Sequence, residues 1–401
     1  MSDSSIIERS FQGWKMWLGI GIGLGVALWM LFNSLQEVRF VEVSDGTGEY
    51  IWKDANGNGE IDNGNAAEFI QVSTGGIYRQ EQLSDTLSEV NWTSQSVFWL
   101  FMTILFAVGR DLFYINRIRM LTHNELSWRS GYRVIMLWEF ASALSPGVVG
   151  GAAVAMFILN REKIALGRST AIVIITAMLD NLFYVLMIPL VFLFIDHAHL
   201  FPHSTGGGLA VQYVFWIGFT AIFSMCLFLF ASIFLVPGLA TRFLSFLFRF
   251  PLLKKWRNGA IQTGKDIETA SRELKNERFS FWIRVFGSTF GSWISRYLVI
   301  NAILQAFLNL GFIDHITILG KQLVLWLFML VSPTPGGSGV AEYAFGELLS
   351  SFSSSAVLLA ALAVLWRLVS YFPYLFIGAF LLPRWLRNTR RKSHTDKIQG
   401  I

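Results

Sequence analysis

The sequence predicts an all-α membrane protein that crosses the bilayer several times, and three observations lead to this fold class. The chain has 401 residues, of which 53% are hydrophobic and only 15% charged, whereas soluble domains carry about 25% charged residues. Several apolar stretches reach the roughly 20 residues that a helix needs to cross a bilayer. Two further apolar stretches are interrupted by proline and glycine. This pattern excludes a soluble domain and gives no reason to expect a nucleic-acid partner.

Six uninterrupted apolar stretches predict spanning helices. They lie at about 14–33, 97–116, 169–195, 212–236, 281–311 and 355–383. The first has a longer apolar run than a signal peptide and no small-residue cleavage site after it, so we interpret it as an anchor. The single cysteine, Cys226, lies within the fourth stretch. An intrachain disulfide is therefore excluded.

The two interrupted stretches, about 133–160 and 316–352, are each predicted to form two helical limbs. Their centres read SPGVVGG at 145–151 and PTPGGSG at 333–339, and both contain the pattern PGxxG. Proline lacks the N–H that an interior helical hydrogen bond requires, and glycine permits backbone conformations that other residues avoid. A continuous helix through either centre is therefore not expected.

Lysine and arginine in the connecting segments predict the orientation. The connection 237–280 holds nine of them and the tail after Pro383 holds six, so both are expected in the cytoplasm. Segment 34–96 has three basic residues against eleven acidic ones, and 196–211 has no lysine or arginine, so both are expected outside. We therefore expect a protein of the plasma (inner) membrane with both termini in the cytoplasm.

This orientation predicts a re-entrant hairpin from each face of the membrane. Arginines precede and follow the first interrupted stretch, which places both of its ends in the cytoplasm; they include Arg117, Arg119, Arg129, Arg133, Arg161 and Arg168. The second interrupted stretch lies between a span that runs outward and one that runs inward, so both of its ends are external. The order span, span, hairpin, span then occurs twice with every direction reversed. Such an order is typical of an inverted-topology repeat.

Charged residues flank the two interruptions at similar distances, which also favours a repeat. Arg110 lies 36 residues before Pro146, and Asp180 lies 34 residues after it. Arg296 lies 39 residues before Pro335, and Arg367 lies 32 residues after it. We therefore divide the chain into an N-terminal anchor (1–33), an external insert (34–96), two halves of the membrane domain (97–211 and 212–383) and a basic cytoplasmic tail (384–401).

The second interruption and the helix after it resemble a known family. PTPGGSGVAE (333–342) is followed by LWRLVSYFPYLFIGAFLL (365–382), and the earlier PGxxG is followed one helix later by Asp180. These motifs resemble the flippase-like membrane region of lysylphosphatidylglycerol synthases over about residues 97–385. The resemblance implies a protein that moves lipids between leaflets. Only about 18 polar residues follow the last span, so the aminoacyltransferase domain of the synthases is not expected.

The first half departs from the pattern of that family at two places. The family usually has an acidic residue soon after the first PGxxG, where Gly151 and Ala152 stand here. It also has a Glu-Arg pair ahead of the aspartate, where Thr176 and Ala177 stand. The roles of family residues in the first half are therefore not carried over.

Helix ends and buried arginines together predict a site for an anion. In a re-entrant hairpin the returning limb begins near the centre of the membrane, where its first N–H groups lack intrahelical partners and favour negative charge. Arg296 and Arg367 lie near the middle of their spans. An arginine there costs at least about 2.5–3.5 kcal/mol without compensation, and its planar fork matches phosphate oxygens. The expected ligand is a membrane lipid with an anionic head group, either a phospholipid or a polyprenyl phosphate.

The predicted substrate-binding set combines the charged residues with the two interruptions. It consists of Arg296, Arg367, Glu342, Asp180, Pro146, Gly147, Gly150, Pro335, Gly336, Gly337 and Gly339. One alternative stays open for the charged members: Arg296 and Arg367 only pair with Asp180 and Glu342, which would lock the bundle. Coupling of the two carboxylates to protons is another. The glycines are expected to form the scaffold of the turns.

Two other functional classes stay open. A small-anion or ion transporter would share the re-entrant architecture, and an intramembrane enzyme acting on lipid would share the membrane location. No histidine or serine–histidine motif lies within the spans, and most histidines lie at the external edges: His197, His199, His203 and His315. We therefore expect no catalytic residue and no resident cofactor in the membrane domain.

Small residues on span 281–311 predict close packing against another helix. GSTFG at 287–291 is followed by Ser292 and Ser295. Small side chains let helix backbones approach closely within a membrane. The same face is also a candidate lining for a cavity beside Arg296.

The external insert contains a segment that resembles a calcium-binding loop. DANGNGEIDNGN (54–65) has oxygen-bearing side chains at the spacing of that loop, with an asparagine at position 12 where a glutamate is usual. The candidate ligands are Asp54, Asn56, Asn58, Glu60, Asp62 and Asn65. Weak binding of Ca²⁺ is one expectation. The alternative is a turn without metal, in a small β-hairpin formed by VRFVEV (38–43) and EYIW (49–52).

Overall fold

The computed structural model describes most of the membrane domain and part of the insert. The described residues are 38–43, 47–57, 59, 61, 65–82, 92–145, 149–201, 207–236, 238–249, 257–274, 277–331, 334, 336–337, 339–353 and 356–398. Within them the protein is mostly helical, with one small antiparallel sheet near the N-terminus. The predicted anchor at 14–33 and several predicted site residues lie outside the described residues: Pro146, Gly147, Pro335, Asn58, Glu60 and Asp62.

The described residues contain twelve α-helices and four strands. The helices are α1 (Ser94–Leu121), α2 (Trp128–Leu144), α3 (Val149–Arg161), α4 (Leu166–Phe192), α5 (Gly207–Phe230), α6 (Leu239–Leu247), α7 (Arg257–Leu274), α8 (Phe279–Phe307), α9 (Phe312–Val331), α10 (Val340–Leu349), α11 (Ala356–Ser370) and α12 (Phe372–Ile398). The strands are β1 (Val38–Glu42), β2 (Gly48–Trp52), β3 (Phe69–Gly76) and β4 (Tyr78–Gln82).

Five helical segments of the described chain are long and apolar enough to cross a membrane. They are Ser94–Leu121, Leu166–Phe192, Gln212–Leu235, Phe312–Leu330 and Leu358–Arg387. Four of them coincide with predicted spans. The predicted span 281–311 corresponds to α8, which has 29 residues but is less apolar than these five. Together they indicate a membrane-embedded protein.

Both interrupted stretches form helical hairpins in the structure. Arg133, near the start of α2, forms an ion pair of 3.1 Å with Glu162, directly after α3, so the two limbs run antiparallel. In the second hairpin the Lys321 Nζ on α9 donates a 2.6 Å hydrogen bond to the carbonyl of Leu348 at the end of α10. The returning limbs α3 and α10 have 13 and 10 residues, which is shorter than the roughly 20 needed to cross a bilayer.

The first limb of the second hairpin is longer than the sequence suggests. Helix α9 has 20 residues, or about 30 Å at 1.5 Å per residue, and it belongs to the five candidate spans. The sequence shows where the proline and glycine interrupt the chain, and thus where the limb ends. It does not show how far the apolar helix extends before that point, because Asp314 and His315 at its start look like a polar loop.

Helices α1 and α8 pack closely in antiparallel orientation. The Ser292 Oγ donates a 3.1 Å hydrogen bond to the carbonyl of Arg110, and the Asn116 side chain donates one of 2.8 Å to the Ser288 Oγ. A Cβ atom on Gly291 would lie only 2.8 Å from the ring of Phe113. The prediction of close packing at GSTFG is therefore confirmed, and these contacts fix α8 against the helix that carries the buried Arg110 and Arg117.

The apolar core has two parts that meet at a layer of charged residues. One part joins α2, α3 and α12 with the N-terminal half of α4, and the other joins α9, α10 and α11 with its C-terminal half. Along α4 the buried apolar side chains belong to the first part up to Leu179 and to the second part from Phe183 onward, which places Asp180 at the boundary. On α8 the change occurs between Val285 and Trp293. The side chains at this level are therefore those that can meet polar partners inside the bundle.

The insert forms a four-stranded antiparallel sheet and not the predicted hairpin. The strand order is β1-β4-β2-β3, so VRFVEV pairs with β4, and EYIW pairs with β3 and β4. The prediction that these two segments pair with each other is wrong. Phe40 stacks on Phe69 at 4.1 Å between ring centroids and Phe69 contacts Tyr78, so the aromatic core needs strands from the second half of the insert. Three or more strands are also more stable than an isolated hairpin.

Candidate functional site

A group of charged and aromatic side chains lies at the boundary between the two parts of the core. We call it the central charged cluster. Helix α1 contributes Arg110, Tyr114 and Arg117, whose i, i+4 and i+7 spacing places them on one helix face. Helices α2, α4, α8 and α12 contribute most of the others. Its members are Arg110, Asp111, Tyr114, Arg117, Glu139, Asp180, Arg296 and Tyr374.

Arg117 and Asp180 join α1 to α4 and α8. Arg117 is buried and forms an ion pair with Asp180, and its Nη1 also lies 3.3 Å from the Thr289 Oγ1. The indole N–H of Trp293 donates a 2.8 Å hydrogen bond to the Asp180 Oδ1. Asp180 therefore has two fixed donors. The expectation that Arg117 lies in a polar loop is wrong, because this residue belongs to α1 and faces the inside of the bundle.

Arg110 contacts two carboxylates but retains unused hydrogen-bond donors. Its Nη2 lies 2.6 Å from the Glu139 Oε1 and its Nη1 lies 3.5 Å from the Asp111 Oδ1. Within the described residues neither its Nε nor its Nη2 has a partner at hydrogen-bonding angles. The Tyr374 hydroxyl donates a 2.9 Å hydrogen bond to the Asp111 Oδ1. The charge of Arg110 is thus balanced, while part of its fork is open to another acceptor.

Arg296 is the one arginine of the cluster that has no ionic partner among the described residues. Its side chain is half-buried and its guanidinium lies over the ring of Trp293, 5.3 Å from the centroid. It makes no ion pair and no hydrogen bond to the part of the chain that the structure describes. Asp111 and Glu139 are close enough to interact with its charge. For Asp180, the alternative of a pairing with Arg296 or Arg367 is not what the structure has, because its partner is Arg117.

A cavity of about 80 Å³ opens beside the cluster. Its lining combines charged, aromatic and apolar side chains: Tyr114, Arg117, Ile118, Ile135, Trp138, Glu139, Thr176 and Asp180. A water molecule needs about 10–15 Å³ on the same measure, so the cavity holds several waters or a small polar group. The Thr176 hydroxyl is buried and finds no hydrogen-bond partner among the described residues. It is available to whatever occupies the cavity.

A second charged site lies at the interruption between α9 and α10. The Arg367 Nε donates a 2.7 Å hydrogen bond to the Glu342 Oε1, and its Nη2 donates one of 3.0 Å to the carbonyl of Gly336. The Glu342 Oε2 accepts a 2.7 Å hydrogen bond from the N–H of Gly339. Glu342 therefore caps the N-terminus of α10 while Arg367 holds the turn before it. This is the pairing that sequence analysis considered as the structural alternative.

Glycine is required in this turn for steric reasons. Gly336, Gly337 and Gly339 have φ angles of +58°, +69° and +82°, which L-residues with side chains rarely adopt. A Cβ atom on Gly336 would also collide with the ring of Tyr371. The predicted scaffold role of these three glycines is therefore consistent with their conformations. Gly150, the other described glycine of the predicted set, lies in the first turn of α3.

Tyr371 connects the two interruptions. Its ring packs against the Gly336 backbone, and its hydroxyl lies 3.2 Å from the carbonyl of Ala143, at the end of α2. The guanidinium of Arg367 lies 4.5 Å from the centroid of the same ring. Tyr371 thus contacts both the end of α2 and the turn between α9 and α10.

Several residues of these sites were not predicted from the sequence. They are Asp111, Tyr114, Arg117, Glu139, Tyr371 and Tyr374. A usable signal exists on two helices, because Arg110, Tyr114 and Arg117 on α1 and Thr289, Trp293 and Arg296 on α8 both follow the i, i+4, i+7 spacing of one helix face. For Glu139 and Tyr374 no signal is evident, since their role depends on which helices become neighbours.

The calcium-like segment forms the connection between β2 and β3. Both oxygens of Asp54 accept backbone N–H groups, from Gly57 at 2.6 Å and Gly59 at 2.9 Å, as in turns without metal. The side chains of Asn56 and Asn65 donate to the buried carboxylate of Glu68, which sequence analysis did not single out. Within the described residues no three His, Cys, Asp or Glu side chains converge as a metal site would require. Calcium binding stays a prediction.

Comparisons with known proteins agree with the region that contains both charged sites. A family model described as "Lysylphosphatidylglycerol synthase TM region" matches residues 77–378, which include the whole central charged cluster. A UPF0104 membrane protein from Archaeoglobus fulgidus is 26% identical over 311 residues, which cover 73% of this chain and 89% of that protein. No solved structure matches. Most of the β-sheet lies before the matched region.

Proposed function

Because the chain belongs to the family of lysylphosphatidylglycerol synthase transmembrane regions, we propose that it translocates an anionic lipid between the two leaflets of the plasma membrane. The head group carries a phosphate, as in a phospholipid or a polyprenyl phosphate. It passes the central charged cluster while its acyl or prenyl chains remain in the bilayer. Both termini lie in the cytoplasm in this proposal.

The observation that carries the proposal is the half-buried Arg296, which has no ionic partner in the part of the chain that the structure describes. An unpaired guanidinium among apolar helices is costly, and phosphate oxygens match its fork with charge-assisted hydrogen bonds. Arg110 offers further donors that the described residues leave unused. A phosphate placed between these two arginines would supply the missing acceptors.

The apolar outer face of α1 favours a lipid over a soluble anion as the substrate. This helix carries Arg110 and Arg117 on its inner side and exposes large apolar side chains on its outer side: Val97, Phe98, Phe101, Ile104, Leu105, Val108, Leu112 and Phe113. An exposed apolar surface of this size is typical of contact with membrane lipid. The tails of a bound lipid can therefore lie along α1 while the head group reaches the cluster.

The two hairpins provide a route for the head group in this proposal. Each returning limb is too short to cross the membrane, and we infer that the hairpins enter from opposite faces as halves of an inverted repeat. Tyr371 would then separate two half-channels, because it contacts both the end of α2 and the turn between α9 and α10. Opening on either side of this residue would expose the head group to one surface at a time.

The test measures translocation in liposomes that contain the purified protein. Fluorescently labelled phosphatidylglycerol is placed in both leaflets, and a membrane-impermeant quencher removes the signal of the outer one. Wild type is expected to let the quencher remove nearly all the signal. Arg296→Gln should lower the rate by about tenfold, since a charge-assisted hydrogen bond contributes about 1.5–3 kcal/mol.

Arg284→Gln is the matched control, because Arg284 lies on the same helix with its side chain exposed. It is expected to match wild type. If Arg296→Gln also matches wild type, the proposed site is wrong. If wild type does not translocate the labelled lipid, the proposed function is wrong for this lipid class.

Transport of a small soluble anion is the second candidate, which the cavity of about 80 Å³ favours. Uptake of radiolabelled inorganic phosphate into the same liposomes distinguishes the two. Phosphate uptake without translocation of labelled lipid would support the soluble anion. Lipid translocation without phosphate uptake would support the lipid.

A further inference from the structure

We propose that the anionic head group crosses the membrane together with a proton, and that Glu139 carries this proton. The inference rests on the proposed function and adds an energy source to it. It is argued from the charge balance of the central charged cluster and from the partners of each of its carboxylates.

The cluster is electrically balanced before any ligand binds. Its arginines are Arg110, Arg117 and Arg296, and its carboxylates are Asp111, Glu139 and Asp180. When all six are ionised their charges sum to zero. A phosphodiester head group would add one negative charge at a site of low dielectric constant, where an unmatched charge is strongly unfavourable. Protonation of one carboxylate restores the balance.

Glu139 has the fewest partners of the three carboxylates. Asp180 is held by Arg117 and the Trp293 indole, and Asp111 by Arg110 and the Tyr374 hydroxyl. Within the described residues Glu139 contacts only Arg110, through a 2.6 Å approach that lacks hydrogen-bonding angles. A phosphate that binds the Nη2 of Arg110 would therefore take the place of Glu139, which has no second partner among the described residues to hold it.

The Glu139 side chain is partly exposed to the cavity, whereas the side chain of its partner, Arg110, is buried. The Glu139 side chain is 25% exposed and lines the cavity, while the Arg110 side chain is 5% exposed. Arginine does not release its proton in proteins. A water molecule in the cavity can deliver a proton to the freed carboxylate.

The charged and titratable groups around Glu139 come from four neighbouring helices. Helix α1 presents Arg110, Asp111, Tyr114 and Arg117, and α12 presents Tyr374. Helix α8 presents Arg296 and α4 presents Asp180. Helix α3 also packs on α2, but its one titratable residue, Arg161, lies at its far end. The arginines near Glu139 favour its ionised form. In this proposal a proton therefore binds to Glu139 only after the negative head group has paired with these arginines.

The step balances in charge and in atoms. The head group arrives as an anion and binds Arg110 and Arg296, and the Glu139 carboxylate takes one proton from a hydronium ion on the open side. One O–H bond forms at Glu139 as one O–H bond of the hydronium ion breaks, which leaves a neutral water molecule. On the opposite side the head group leaves, Glu139 returns its proton to water and the contact with Arg110 forms again.

The experiment imposes a pH gradient on liposomes that contain the full-length protein and labelled phosphatidylglycerol. With wild type the labelled lipid is expected to accumulate at least twofold in the leaflet that faces the alkaline side, because proton and anion move together. Glu139→Gln, which imitates the protonated side chain, should still translocate the lipid but without accumulation. Glu347→Gln removes an exposed carboxylate on α10 and should behave as wild type.

Each alternative outcome has a separate meaning. If wild type translocates lipid with equal distribution in the presence and absence of the gradient, proton coupling is wrong and the proposed function stands. If Glu139→Gln accumulates lipid as wild type does, Glu139 is not the carrier. Glu139→Asp should keep the response to the gradient, which excludes misfolding as the cause. If wild type translocates no lipid at all, the proposed function and this inference fail together.

Discussion

The two charged sites both contain a buried arginine, yet they differ in how many of its donors are used. At the second interruption the Nε and Nη2 of Arg367 donate to Glu342 and to the carbonyl of Gly336. In the central charged cluster Arg110 keeps unaligned donors and Arg296 has no ionic partner among the described residues. A saturated arginine fixes the backbone, whereas an unsaturated one is ready to bind a ligand. In our proposal the site of Arg367 therefore has an architectural role, and the central charged cluster is the one that binds a ligand.

Replacement of Arg367 is expected to unfold or strongly destabilise the protein. Removal of one partner from a buried ion pair costs about 3–5 kcal/mol, and Arg367→Gln leaves Glu342 and the Gly336 carbonyl without their donor. Thermal unfolding in detergent, followed by size-exclusion chromatography, measures the loss. The double variant Arg367→Gln/Glu342→Gln should recover part of it. If Arg367→Gln alone were as stable as wild type, Arg367 would have no architectural role and the two charged sites would not differ in this respect.

Alanine at Gly336 should destabilise the turn by a smaller amount. The positive φ angle costs about 1–2 kcal/mol for an L-residue, and the new Cβ must displace the ring of Tyr371. Gly346→Ala is the control, because a Cβ atom there meets nothing within 4 Å and the residue is helical. Unfolding temperatures of the two variants should therefore change in opposite directions. Equal stability of both variants would contradict the steric role of Gly336.

Arg296→Lys should leave stability nearly unchanged, within about 1 kcal/mol, while it slows lipid translocation. Lysine keeps the charge but lacks the planar fork that binds two phosphate oxygens. The same unfolding assay and the liposome assay, applied to one preparation, separate the two effects. A loss of stability as large as that of Arg367→Gln would show that Arg296 also has an architectural role.

Sequence analysis located the helices and the interruptions better than it located the partners within the site. Hydrophobic length placed four of the candidate spans, and proline with glycine placed both hairpin turns. The pairing of Arg367 with Glu342 was among the alternatives because both residues lie in the two segments, 333–342 and 365–382, that resemble the known family. By contrast, Arg117 was not among the partners considered for Asp180, since a contact between α1 and α4 depends on tertiary packing.

The sheet illustrates the same limit. Alternating residues identified VRFVEV and EYIW as strands, but β1 pairs with β4, more than thirty residues away. Local turn signals favour pairing of neighbours, whereas the stacking of Phe40 on Phe69 requires a distant strand. Arg117 shows a related error, because a count of basic residues cannot tell a loop arginine from one that turns into the bundle.

The division of the apolar core along α1, α4 and α8 has a mechanical consequence. Apolar contacts resist sliding because any shift opens voids, whereas polar side chains can exchange hydrogen-bond partners. In the proposed transport cycle, the boundary at the height of Asp180 would therefore be the level at which the two apolar blocks tilt against each other. Helices α1 and α8 both cross this boundary and are held together by serine and glycine contacts. They would therefore be the helices about which the two blocks move.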